Sequence, residues 1–96
     1  MACDLRVSVP GAKVFYPVMK LGFLPQPSDP GRLAALVGPA RAKMILMAGQ
    51  KIGAEEAREW GLIDRLAEDV MNEARDLAAD TLAASADHAA AIKALI

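Results

Sequence analysis

The hydrophobic and polar positions of this chain divide it into a short extended beginning and a long helical remainder. Apolar residues alternate with polar ones over residues 3–9, which is the period of a strand with one buried face. A Pro-Gly turn follows at 10–11, and residues 13–16 form a second short extended piece. For the apolar segment 19–24, which contains a glycine, we expect a loop or a short strand.

Beyond residue 30 the apolar spacing becomes helical, and the helix ends are marked by capping residues. Asp29 followed by Pro30 is a favourable N-cap and first helical position. Gly53 occupies a second N-cap position, and Ser85 interrupts the helical stripe and can cap a final helix. The helices predicted in this way cover residues 30–37, 39–48, 54–60, 68–84 and 86–96.

Trp60, Gly61 and Leu62 form the clearest helix end in the chain. A glycine after the last helical residue commonly adopts a left-handed conformation, and the apolar residue after it packs back against the helix. We therefore expect a positive φ at Gly61. Ile63 and Leu66 continue the apolar pattern in extended chain.

Composition and charge narrow the classes of protein that are possible. The 96 residues allow one domain with a modest core; 54% are hydrophobic but only 4% aromatic, and the abundant alanine favours helix over sheet. The net charge is −1 with acids and bases interspersed, so nucleic acid is a poor partner. No apolar run is long enough to span a bilayer, so we expect no membrane association.

Cys3 is the only cysteine, which favours a cytoplasmic protein and a buried structural thiol. His88 is the only histidine and is expected at a surface or interface.

The chain also carries more apolar surface than a core of this size can cover. Two short strands at the start have no evident sheet to join, and an isolated pair is marginal in water. Ile92, Leu95 and Ile96 at the end of the chain also lack an internal partner. Uncovered apolar surface usually marks an interface, so we expect a homo-oligomer or part of something larger.

A long motif connects this pattern to a known family. The segment LVGPARAKMILMAGQKIGAEEAREWGLIDRL at 36–66 contains the gapless pattern G-x-x-I-x-A-x-E-A-x-x-W-G-L-I. It resembles the segment of enoyl-CoA hydratase/isomerase (crotonase) family proteins that precedes their C-terminal helices. The resemblance runs from about Met1 to about Leu95 and covers less than half of the family's usual length.

The resemblance implies an α/β fold of the crotonase-like (ClpP/crotonase) type, of which this chain is a C-terminal fragment: short strands, then mostly α-helix. Residues 1–66 would be the C-terminal part of the core, and residues 67–96 a helical oligomerisation segment that builds a trimer or hexamer. Family members bind acyl-CoA and stabilise an enolate in an oxyanion hole of two backbone N–H groups. The resemblance places both donors, and the CoA-binding region, before Met1. It implies no cofactor beyond the acyl-CoA substrate, and no metal.

One catalytic position of the family falls inside this chain. In many members a glutamate follows the proline in a segment like F-x-x-P-E-x-x-L-G, where it acts as general acid or base. Here that position is Val18, and valine cannot move a proton. The glycine-rich loop that usually follows is replaced by Gln-Pro-Ser-Asp-Pro at 26–30. The resemblance implies substrate-binding roles for Pro17, Val18, Leu21, Pro25 and Gln26.

Asp29 is the only carboxylate near this presumed pocket. It is either a replacement acid or base, or the N-cap of the helix at Pro30; the routine Asp-Pro helix start favours the cap.

Two functions follow from these observations. The first is acyl-CoA chemistry in fatty acid metabolism, such as hydration, isomerisation or hydrolysis, by the parent protein, with the 96-residue chain inactive alone. The second is a non-catalytic crotonase homologue or helical oligomerisation module.

Overall fold

The computed structural model describes all residues from Met1 to Ile96 and shows four two-residue strands and six helices. None of the helices combines the length and the apolarity that a membrane crossing requires. In chain order, the elements are β1 (Val7–Ser8), β2 (Lys13–Val14), α1 (Val18–Leu21), α2 (Asp29–Val37), α3 (Pro39–Leu46), β3 (Ile52–Gly53), α4 (Ala54–Glu59), β4 (Arg65–Leu66), α5 (Val70–Ala83) and α6 (Ala86–Leu95).

The two initial strands do have partners, so the expectation that they lack a sheet is wrong. β1 pairs in parallel with β4, with Val7 opposite Arg65. β2 pairs antiparallel with β3, with Val14 opposite Ile52. Both partners come from much later in the chain, and this long-range pairing ties the extended beginning to the central helices.

Three local expectations were wrong. The predicted strand over 3–9 shortens to Val7–Ser8, because the partner strand β4 is only two residues long. Segment 19–24, expected as loop or strand, contains most of helix α1, and the chain leaves that helix through Gly22 at a φ of 75°. Cys3 lies outside β1 and is exposed rather than buried.

The core lies where α2, α3 and α4 meet the chain that follows α4. The contact between α2 and α3 is the most extensive between any two elements, and Gly38 with Pro39 makes the turn between them. Since burial of apolar side chains is the main favourable term in folding, this cluster is the principal source of the chain's stability. Its buried members are Leu33, Val37, Ala42, Ile45, Ile52, Ala57, Leu62 and Ile63.

The end of α4 confirms the sequence prediction for Gly61, whose φ is 88°. The Leu62 amide donates to the Ala57 carbonyl at 2.9 Å, and the Gly61 amide donates to the Arg58 carbonyl at 3.1 Å. These are the two hydrogen bonds of a Schellman motif. The motif directs Leu62 and Ile63 into the core immediately after the helix ends.

Arg6 joins the start of the chain to the segment between α4 and β4. Its Nε donates to the Leu62 carbonyl at 2.6 Å, and its Nη2 lies 3.3 Å from Asp64 Oδ2. The Arg6 backbone amide also donates to the same Asp64 oxygen at 2.8 Å. The parallel β1–β4 pair is therefore reinforced by a partly buried ion pair.

Helices α5 and α6 begin at side-chain caps but bury nothing completely. Asp69 Oδ1 accepts from the Asn72 amide at 3.1 Å, and Ser85 Oγ accepts from the His88 amide at 3.1 Å, as the predicted cap at Ser85 requires. Neither helix contains a buried residue. Large apolar side chains stay exposed along them, among them Leu82 and Leu95 at 74% and 86%.

Candidate functional site

The segment from β2 to the start of α2 folds back on itself, so that the side chain of Tyr16 reaches Asp29. Tyr16 Oη donates to Asp29 Oδ2 at 2.7 Å. The same phenol oxygen accepts a hydrogen bond from the backbone amide of Gln26 at 3.3 Å. These two bonds fasten the proline-containing loop 22–28 to the hydroxyl of Tyr16, and the bond to Asp29 joins two positions that are thirteen residues apart.

Tyr16 is a residue that the sequence analysis missed as a site residue. Its side chain was assigned only to a short extended piece, and nothing in the spacing of the residues predicts a hydrogen bond to Asp29. The signal that could have found it is chemical: Tyr16 is the only tyrosine, and it precedes Pro17 and Val18 directly. The donor bond to the Asp29 carboxylate, with a smaller opposing effect of the Gln26 amide, raises the pKa of Tyr16 above its usual value of 10.0.

Val18, at which the resemblance predicts the family's glutamate position, is the first residue of α1 and is buried. Its amide donates to the Tyr16 carbonyl at 2.9 Å, and its own carbonyl accepts from Phe23 at 2.9 Å. The backbone at this position is thus fixed by hydrogen bonds, while the side chain offers no titratable group. No proton can be exchanged with a substrate here.

Asp29 does not cap α2, so the interpretation that the sequence favoured is wrong. Asp29 is already the first helical residue; Ser28 is the N-cap, and the Ser28 side chain makes no capping hydrogen bond. The Asp29 carboxylate turns toward Tyr16 and is half-buried. It lies in the first turn of the helix, where the dipole favours negative charge.

The remaining candidates do not line one common pocket. Pro17 borders a surface pocket of about 390 Å³ whose lining includes Lys20 and Lys51. Leu21 is 59% exposed, and Pro25 is half-buried. Gln26 contributes its backbone amide to the tyrosine rather than its side chain. Substrate binding by these residues stays a prediction.

Next to the Tyr16–Asp29 pair lies an open, mostly apolar cavity of about 290 Å³. Tyr16 borders this cavity, so one side chain contacts both the apolar space and the carboxylate. The other walls come from β1, β2 and the central helices, and they include Val7, Val14, Leu33 and Ile45. An apolar space beside a small number of polar groups is typical of a small-molecule site.

The fold and the motif define the class of this protein. The model of the enoyl-CoA hydratase/isomerase family matches residues 1–96, and the chain belongs to that family. A short-chain-enoyl-CoA hydratase from Clostridioides difficile is 43% identical over 68 residues, which cover 71% of this chain and 44% of the relative. The chain thus spans less than half the length of the curated relatives that it matches.

Solved structures agree with this assignment. A putative enoyl-CoA hydratase/isomerase family protein from Hyphomonas neptunium superposes with a TM-score of 0.81 at 42% identity, over 88% of this chain and 33% of that one. A putative enoyl-CoA hydratase from Thermobifida fusca, solved in complex with CoA, gives a TM-score of 0.88 at 30% identity, over 97% of this chain and 37% of that one. The fold is therefore of the crotonase type that the motif predicted.

Proposed function

We propose that this chain forms the acyl-side wall of an acyl-CoA site in an enoyl-CoA hydratase/isomerase family protein. The single observation that carries the proposal is the match to the CoA-bound Thermobifida fusca structure over 97% of this chain. The reaction class is the formation or protonation of an enolate next to the thioester carbonyl, stabilised by an oxyanion hole.

The geometry supports a binding role for the region around α1. The apolar cavity of about 290 Å³ offers space beside Tyr16 for a short acyl chain. Pro17, Val18 and Gln26 lie on the same segment as Tyr16 and are its nearest neighbours in sequence or in hydrogen bonding. Val14, Phe15 and Tyr16 of this segment line the cavity. We assign the contacts with the acyl group to these three residues, and a supporting position beside the cavity to Pro17, Val18 and Gln26.

A second function, assembly, is favoured by a separate observation. The side chains of Met71, Leu82, Ile92, Leu95 and Ile96 are all at least half exposed on or beside α5 and α6. We propose that these helices pack against other copies of the chain in a homo-oligomer, which the family resemblance suggests is a trimer or hexamer. Assembly and acyl-CoA binding use different parts of the chain, so the two functions are compatible.

An NMR titration of the ¹⁵N-labelled 96-residue chain with crotonyl-CoA tests the binding proposal. We expect saturable shifts of amides in residues 15–29 and little change in α5 and α6. CoA without an acyl group is the matched control and should perturb residues 15–29 less than crotonyl-CoA does. An absence of shifts at millimolar crotonyl-CoA, or identical shifts with CoA alone, would refute the proposal that this segment contacts the acyl group.

A further inference from the structure

We propose that the surface pocket formed by residues 15–20 and 47–51 binds a phosphate group that is carried on a small apolar body. The pocket has a volume of about 390 Å³, and its lining includes the two lysines Lys20 and Lys51. It shares only Phe15 with the apolar cavity assigned to the acyl chain. The proposal therefore concerns a second site and does not depend on the acyl-CoA function.

The two lysines of the pocket have no acidic partner. Both are exposed, and neither takes part in an ion pair. The Lys51 ammonium lies 4.8 Å from the centre of the Phe15 ring, in a cation–π contact that places its charge beside an apolar wall of the pocket. Cations on the lining of one pocket that no carboxylate neutralises raise the local concentration of anions.

The distribution of charge along the chain also favours an anion at this pocket. Residues 5–54 contain seven lysines and arginines and one acid, whereas residues 55–96 contain four and ten. The expectation of interspersed acids and bases is therefore wrong, although the net charge is only −1. The pocket is lined entirely by residues of the basic half, and the one acid of that half, Asp29, is engaged with Tyr16.

The composition of the lining indicates which anion fits. Lysine binds phosphate as a point charge, and a phosphate monoester carries a charge of about −1.5 to −2 at pH 7, which two ammonium groups can balance. The amide of Gly49 makes no hydrogen bond to another backbone group, and a Cβ there would meet nothing within 4 Å, so this donor is accessible. Phe15, Met19 and Met47 leave more than half of their side chains exposed in the same pocket. An aromatic or aliphatic body on the phosphate would cover them.

An NMR titration of the ¹⁵N-labelled chain with phenyl phosphate tests this proposal. We expect saturable shifts of the amides of Lys20 and residues 47–51, and little change in α5 and α6. Phenol lacks the phosphate and inorganic phosphate lacks the ring, so each should shift these amides less at the same concentration. The affinity should fall as ionic strength rises, because salt screens exposed charges. An absence of shifts with millimolar phenyl phosphate, or equal shifts with phenol, would overturn the proposal.

Substitution of the lysines tests the site itself. Lys20→Gln and Lys51→Gln should each raise the dissociation constant of phenyl phosphate about two- to fivefold, as expected for exposed charge pairs. Lys43→Gln is the matched control, since Lys43 is an exposed lysine of the same basic half that does not line the pocket. It should leave the dissociation constant nearly unchanged. Unchanged binding in the Lys20→Gln/Lys51→Gln double variant, or an equal loss in Lys43→Gln, would overturn the assignment of the pocket.

A final titration with CoA distinguishes two sources of the same chemistry, since CoA carries a phosphate monoester of its own. Shifts of residues 47–51 by CoA that weaken in Lys20→Gln and Lys51→Gln would identify the CoA phosphate as the occupant. Binding of phenyl phosphate without CoA shifts at 47–51 would identify a separate phosphorylated compound. The acyl-CoA proposal is tested separately, by the difference between crotonyl-CoA and CoA at residues 15–29, so either proposal can fail without the other.

Discussion

Replacing Gly61 should destabilise the fold more than replacing any other glycine with a positive φ. A Cβ placed on Gly61 would lie 2.8 Å from the backbone carbonyl oxygen of Leu36, and the φ there is 88°. The left-handed conformation alone costs an L-residue about 1–2 kcal/mol. Crowding in a packed interior typically adds about 1–3 kcal/mol, and here the obstacle is backbone of α2, which cannot rotate away as a side chain can. We therefore expect Gly61→Ala to lower the free energy of unfolding by about 2–5 kcal/mol.

Gly49→Ala provides the matched control for this effect. Gly49 also has a positive φ, of 65°, but a Cβ there would meet nothing within 4 Å. Gly49→Ala should therefore lower the free energy of unfolding only by the cost of the left-handed backbone conformation, about 1–2 kcal/mol. Both variants would be unfolded in urea and followed by circular dichroism at 222 nm. Equal losses would refute the reasoning that the close approach to Leu36 matters, and a neutral Gly61→Ala would refute the Schellman geometry.

Three further predictions concern charge, assembly and activity. Because the pKa of Tyr16 is raised in the folded chain, its hydrogen bond to Asp29 stabilises the fold below pH 10, and this stabilisation is lost as pH rises through the folded pKa. A spectrophotometric titration of this single tyrosine should therefore show a lower pKa in Asp29→Asn than in the wild type. Leu95→Glu should shift sedimentation toward the monomer without lowering monomer stability, since Leu95 is 86% exposed; a wild-type chain that sediments as a monomer at all concentrations would contradict this. The 96-residue chain should show no measurable hydration of crotonyl-CoA, followed as loss of its absorbance. Val18→Glu should not create activity, since a proton-transfer group accelerates a reaction only about 10²–10⁴-fold; turnover by the wild type would refute this prediction.

The helix ends were predictable because the interactions that form them are local. The residues around Gly61 lie within six positions of one another, and the Ser85 side chain accepts its capping hydrogen bond from His88, three residues later. The family was predictable for a related reason, since the motif at 36–66 is one continuous segment. Where a structural feature depends only on residues that are close in sequence, residue types and spacing are enough to predict it.

The features that were missed depend on contacts between distant parts of the chain. The partner of β1 lies 58 positions away at β4, and no pattern within either two-residue strand identifies the other. Asp29 was misassigned because Asp followed by Pro fits a cap equally well, and only the folded loop shows the carboxylate turned toward Tyr16. The exposure of Cys3 likewise follows from how far β4 extends along the first segment rather than from the alternation around it.

The distribution of burial explains why assembly should matter for this chain. All ten buried residues lie between Val18 and Ile63, so the two longest helices contribute no fully buried side chain to the core. Isolated helices of 14 and 10 residues are marginal in water even when alanine-rich. Association that covered Leu82 and Leu95 would therefore stabilise α5 and α6 by mass action, and the helix content of the chain should rise with its concentration. The central helices, whose core is internal, should show no such dependence.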